Sequence, residues 1–175
     1  MYFFISDEHY GHRNMTDEGK NYTNRPFSTV KEMDETLITN NNNVVHKEDI
    51  VVHGGDFTLI KNKKLIYEKY INRLNGKHIF LRGSHDYWLN NSYHEIWERN
   101  IHGKYIVVCH YAMRVWARSH YNSMHLYGHS HGNLEPVGKQ HDIGVDNNDF
   151  YPLSENKIFE IMDKRPDNFN LVRRS

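Results

Sequence analysis

Cysteine is almost missing from this chain. The single thiol, Cys109, closes the apolar run Ile106-Val107-Val108-Cys109, so no internal disulfide forms and a reducing compartment is expected. The same run reads Cys109 as a small buried core residue. Long apolar stretches are missing too, none approaching the roughly 20 residues of a membrane-spanning helix. Met1-Tyr2-Phe3-Phe4-Ile5 reaches Asp7 too soon to act as a signal peptide. An excess of charge is also absent, with 22 Lys plus Arg against 22 Asp plus Glu. That balance removes the global basic surface on which nucleic-acid binders depend. No repeat and no linker divides the 175 residues, which suffice for one domain, 1–175, with a substantial core. The expectation is a soluble cytoplasmic protein without a membrane partner.

Histidine, in contrast, is plentiful. Fourteen of them occur, and imidazole is the commonest neutral metal ligand. Their positions are what matters, and those follow from the elements. Tyr2 to Ser6 reads as a buried strand. A helix follows from about Thr29 to Asn40, with Thr29 and Glu32 in capping-box spacing and Val30, Met33 and Leu37 on one face. The asparagines Asn40 to Asn43 are read as its end. Asp49 to His53 is a second strand, and Lys61 to Asn75 a second helix closed by Gly76. Then come a strand His78 to Leu81, a helix near Ser92 to Glu98, and strands Tyr105 to Cys109, Met124 to Tyr127 and Asp142 to Val145. Leu153 to Ile161 is amphipathic and of open type. Alternating strands and helices, then a strand-rich end, predict an α/β fold.

Five of these strands end in the same way. Asp7, His9 and His12 follow the first in "SDEHYGH", and Asp56 follows the second in "HGGDF". Ser84, His85 and Asp86 follow the third in "LRGSHD", His110 the fourth, and His129 and His131 the fifth in "GHSHG". In open α/β sheets the carboxyl edge of the strands is where ligands bind. Asp7 and His9 are two apart, as are His129 and His131, so in extended backbone each pair faces one centre. Carboxylates mixed with imidazoles suit a divalent transition metal.

As an ordered set, Asp7-x-His9, Gly55-Asp56, Gly83-Ser84-His85-Asp86, His110 and Gly128-His129-Ser130-His131 resembles the calcineurin-like metallophosphoesterase family. The resemblance implies a four-layer αββα sandwich, two mixed β-sheets flanked by helices, around two divalent metal ions. Mn is expected, with Fe, Zn, Ni or Co as alternatives. By motif, Asp7, His9 and His131 would hold one metal and Asp56 would bridge to the other. His110, His129 and Ser84 would complete the second site. A hydroxide between the metals would attack phosphorus in line while His85 protonates the leaving group, with Asp86 in support.

Two departures from the family pattern bear on activity. The family carries Asn where this chain has Ser84, a shorter and weaker ligand, so a catalytically weakened binding relative is one alternative. The aspartate, arginine and Gly-Asn-His-Glu motif of the protein Ser/Thr phosphatases are absent, which leaves a small phosphodiester or phosphomonoester, a nucleotide among them. A nuclease acting on nucleic-acid ends is the other alternative, although charge neutrality speaks against a long DNA groove. For substrate recognition the candidates are His12, Arg25, Tyr111, Arg114 and Trp116. The guanidinium of Arg114 would fork onto phosphate, and Tyr111 or Trp116 would stack on a base. The remaining histidines read as structural or surface residues.

Overall fold

A computed structural model describes residues 1–90 and 93–172, and its strands form two four-stranded mixed sheets. In the first, β1 (Tyr2–Ile5), β2 (Ile50–His53) and β3 (Lys77–Phe80) run parallel, and β8 (Leu153–Ser154) pairs antiparallel with β1. In the second, β4 (Ile96–Ile101) pairs antiparallel with β5 (Lys104–Cys109). The strands β6 (Met124–Tyr127) and β7 (Gln140–Asp142) continue it in parallel.

The central strands β1 and β2 are apolar on both faces because both faces are covered. Phe3, Ile5 and Val51 face Met33 and Leu37 of α1 (Val30–Val44) and Ile66 of α2 (Lys63–Lys69). Phe4 and Val52, the alternate residues, face Ile106, Val108 and Leu126 of the second sheet. Ile158 and Met162 of α3 (Glu155–Asp163) join that inter-sheet core. Segment 110–123 covers the far side of the second sheet. There Trp116 lies against His125, ring centroids 5.2 Å apart, and its indole N–H donates to the Ser123 carbonyl. No helix among the described residues is long and apolar enough to cross a membrane.

Several elements differ from expectation. The asparagine run does not end α1, which continues through it to Val44. Its amides bond outward instead: Asn40 Nδ2 donates to Phe150 O, Asn41 Nδ2 to Asn75 O, and Asn42 Nδ2 to Arg73 O. Tertiary partners outweigh the weak helix propensity of asparagine. The second helix stops early, at Lys69, because Tyr70 leaves helical geometry as its hydroxyl donates to Asp34 Oδ2. A single 3-10 turn, Ile71–Arg73, follows.

The expected helix near Ser92 to Glu98 begins outside the described residues, and Ile96 onward is strand. His102 and Gly103, both at positive φ, form a two-residue turn that folds β4 back on β5. As an edge strand, β4 carries Glu98 and Arg99 on exposed positions, which hid its period. The strand expected at Asp142 to Val145 ends at Asp142, although Gly144 still bridges Ser6. Cys109 is half-buried at a cavity wall, not enclosed in the core.

Candidate metal centre

Because β1, β2 and β3 are parallel, Asp7, Asp56 and the 82–86 loop emerge from one edge of the first sheet. His110 and His129 emerge from the matching edge of the second. Backbone bonds stitch the two edges together: Ser6 N–H donates to Ile143 O at 3.0 Å, and Val145 N–H to Ser6 O at 3.0 Å. Asp7 adds a side-chain tie, its carboxylate accepting the His129 N–H at 3.0 Å. The site therefore lies at the seam between the sheets.

Two clusters result, Asp7 with His9 and His131, and Asp56 with His110 and His129. Within each, one ligating atom per residue falls within 4.8 Å of the others. Five of these six residues have left-handed backbone: Asp7 (φ 60°), His9 (53°), Asp56 (58°), His129 (67°) and His131 (47°). Positive φ is uncommon outside glycine, and clusters of it mark functional sites. The strain turns each side chain sharply inward at its strand end.

Close packing of backbone against ligand requires glycine at two points. A Cβ on Gly83 would lie 2.3 Å from Asp56 Oδ1, and one on Gly128 would lie 2.4 Å from Asp7 Oδ2. Gly83→Ala is accordingly expected to lower stability by about 1–3 kcal/mol, the usual cost of overpacking. Urea denaturation reads this directly; an unchanged midpoint would mean the loop relaxes freely around Asp56.

The imidazoles are oriented as metal ligands are. His110 Nδ1 faces the Gly54 carbonyl at 3.1 Å, which leaves Nε2 pointing into the cluster with no hydrogen-bond partner. His131 Nδ1 faces Asp146 Oδ2 at 2.7 Å, and Asp146 in turn holds Arg25 through both carboxylate oxygens. Such outer contacts fix tautomer and orientation at metal sites. His9 is buried with both ring nitrogens unpartnered. Buried polar atoms without partners are costly, and a cation between them removes that cost. Two carboxylates and four imidazoles fit a divalent transition metal.

Electrostatics agree with the geometry. Burial pushes the Asp7 carboxyl up to about 7, against the pull of His110 and His131. Burial drives His9 well down. Burial also acts to raise Asp56, but the His110 and His9 imidazoles beside it and the His85 N–H hold it at about 2. Burial opposes Asp146 in the same way, and its bonds to His131 and Arg25 keep it well below the usual carboxylate range.

Beside the clusters, the His85 backbone N–H donates to Asp56 Oδ1 at 2.8 Å, and its ring sits 3.9 Å from Asp56 Oδ2. Asp86 does not face the clusters. Buried, it accepts the Asp56, Phe57 and Gly83 N–H groups and the Trp88 indole, and so holds the strand-end loops together. The Ser84 hydroxyl lies 2.9 Å from the Tyr111 hydroxyl. His12 stands beside His9, ring centroids 5.5 Å apart, and Tyr111 beside His129 at 4.8 Å.

The other recognition candidates lie elsewhere. Arg25 is buried beneath the site, donating to the Asp7 and Glu8 carbonyls, where it props the left-handed turn and cannot meet a substrate. Trp116 packs on the far side of the second sheet. Arg114 is turned onto Phe169, 5.1 Å from the ring centroid. Sequence reading missed Asp142 and Asp146. Asp142 accepts Ser130 Oγ and the Gly132 N–H, shaping the His129–His131 loop. The only signal for Asp146 was an acidic residue in the turn after Gly144, too common a feature to stand out.

No protein-family model matches the sequence. The uncharacterized protein MJ1445 of Methanocaldococcus jannaschii is 32% identical over 169 residues, covering 93% of this chain and 91% of its own length. The crystal structure of a protein of unknown function, AQ665 from Aquifex aeolicus, matches at TM-score 0.70 and 25% identity, covering 92% of this chain and 98% of its own. A predicted phosphoesterase from Streptococcus pneumoniae matches at TM-score 0.44 and 16% identity, over 82% of this chain and 70% of its own.

Proposed function

The chain belongs to the same family as the M. jannaschii protein MJ1445, and we propose that it is a dinuclear metal-dependent phosphoesterase of the calcineurin-like kind. One observation carries the reading. Asp56 Oδ2 lies 3.8 Å from His9 Nε2 and 3.4 Å from His110 Nε2, one nitrogen from each cluster and both without hydrogen-bond partners. A single carboxylate between two half-built sites is what a bridged pair of cations requires. Asp7, His9 and His131 would hold one metal, His110 and His129 the other, and Asp56 both.

Such a pair supplies Lewis acidity, neutralising phosphate oxygens and making water an effective nucleophile near neutral pH. The protein does the rest. Arg25, Asp146 and Asp86 lock the ligand loops. The His85 ring, at 41% side-chain exposure, is open to a leaving oxygen that needs a proton. The substrate in this reading is a small phosphodiester or phosphomonoester. A purely binding role is disfavoured, since all six cluster residues remain in place.

The test is metal titration coupled to a phosphoester screen. Hydrolysis should appear with Mn²⁺ and vanish on chelation. Calorimetry should resolve one tight and one loose binding event, because Ser84 leaves the second site an amide short. Ser84→Asn should tighten the loose event by roughly 10-fold or more, within the ~10–100-fold range of contacts around a metal. Two equally tight events, or no hydrolysis of any ester with metal bound, would sink the reading.

A further inference from the structure

A cavity of about 500 Å³ opens beside Ser84 and His110, and nothing in the proposed chemistry uses it. Its size falls within the ~300–1,000 Å³ typical of small-molecule sites. A larger cleft of about 590 Å³ lies between α1 and α2, but it touches neither cluster, and its Arg73 and Glu35 are already paired.

The cavity beside His110 has an apolar wall, two aromatic flanks and two charged side chains, Arg82 and Glu95. Ile96 and Cys109 are directly opposed in the β4–β5 register, so they emerge side by side. Tyr111 is fixed by edge contacts with His110 and His129 and by its hydroxyl at Ser84, yet it stays 48% exposed. Tyr87 is 54% exposed at the same cavity. Among the described residues, no hydrogen bond or ion pair engages the side chain of Arg82 or Glu95. The guanidinium of Arg82 lies 4.5 Å over the Tyr93 ring.

We infer that this cavity is a base-recognition subsite, and that the substrate is an ester of a nucleoside whose base enters it while the phosphate meets the clusters. The inference rests on the phosphoester reading above. A planar heteroaromatic ring uses every wall. Its faces stack on tyrosine, and its edge offers acceptors to Arg82 and donors to Glu95. An acyl chain would leave both charged groups unmatched, and a carbohydrate would leave the apolar wall unused. A compact cavity on a chain of net charge +0 suits a mononucleotide better than a strand, which needs a basic groove.

The experiment compares matched esters on the Mn²⁺-loaded full chain. Thymidine 5′-(p-nitrophenyl) phosphate is set against methyl p-nitrophenyl phosphate, and AMP against ribose 5-phosphate. The base-bearing member of a cleaved pair should be preferred in kcat/KM by roughly 10–100-fold, mostly through KM, as stacking of one base allows. Tyr111→Ala and the cavity-filling Ile96→Trp should each collapse that ratio towards one, whereas Tyr111→Phe should keep most of it. Equal rates on both members of a pair, or a uniform loss in the variants with the ratio intact, overturn the inference and leave the phosphoesterase standing. If no ester is cleaved, the phosphoesterase reading fails by itself. Saturation-transfer NMR with adenosine then decides the cavity: a signal abolished by Ile96→Trp supports it, and no signal refutes it.

Discussion

Asp56→Asn is expected to lose both metals and to cut phosphoester hydrolysis by more than about 100-fold, beyond the ~10–100-fold typical of a contact around a ligand. The substitution preserves shape. An asparagine oxygen can still accept the His85 N–H that Asp56 Oδ1 accepts at 2.8 Å. What changes is the other atom, where an amide nitrogen would replace the oxygen lying between His9 Nε2 and His110 Nε2. That nitrogen carries no negative charge and cannot ligate, so the cations would lose their shared anion and repel each other unscreened. Asp7→Asn, by comparison, removes a ligand from one cluster only, and the site of Asp56, His110 and His129 should still fill. Metal content by mass spectrometry, read beside the rate, separates the two cases. If Asp56→Asn keeps both metals while Asp7→Asn loses both, the shared ligand is Asp7 and the arrangement proposed here is reversed.

Four of the cluster residues were legible in the sequence because each lies within three residues of the end of a short apolar strand. His9 and His131 were legible because each stands two residues beyond one of the four. In a parallel sheet, position after the strand is position at the site. Asp7, Asp56, His110 and His129 needed no tertiary information beyond that rule. What props them was not legible. Arg25 was a candidate for substrate recognition, yet burial and the twin oxygens of Asp146, 121 residues away, make it a brace. Trp116 looked like a stacking platform, but which face of the second sheet it covers depends on how segment 110–123 folds back. The asparagines of α1 misled for the same reason, since their partners at residues 73, 75 and 150 are remote in sequence. Edge strand β4 was hidden because solvent exposure replaced its alternating pattern with charge. Local signals located the chemistry, and long-range bonds decided its scaffold.

His85→Ala should have an effect that depends on the leaving group. The residue is anchored by its backbone, through the N–H on Asp56 Oδ1, so removing the ring leaves that tie intact. The ring itself projects outward, 5.7 Å from the His9 ring and 3.9 Å from Asp56 Oδ2, and belongs to neither cluster. A ring so placed can give its proton to the oxygen departing from phosphorus. Nitrophenolate leaves readily without a proton, whereas a ribose or alkyl alkoxide does not. General acid catalysis is worth ~10²–10⁴ in rate, so the variant should lose most of that factor on nucleotide or alkyl esters. On nitrophenyl esters it should lose far less, with metal content unchanged. Metal content is the control that distinguishes a missing proton donor from a collapsed site. An equal loss on both ester types would make His85 a phosphate-binding residue, and a loss of metal would make it a ligand.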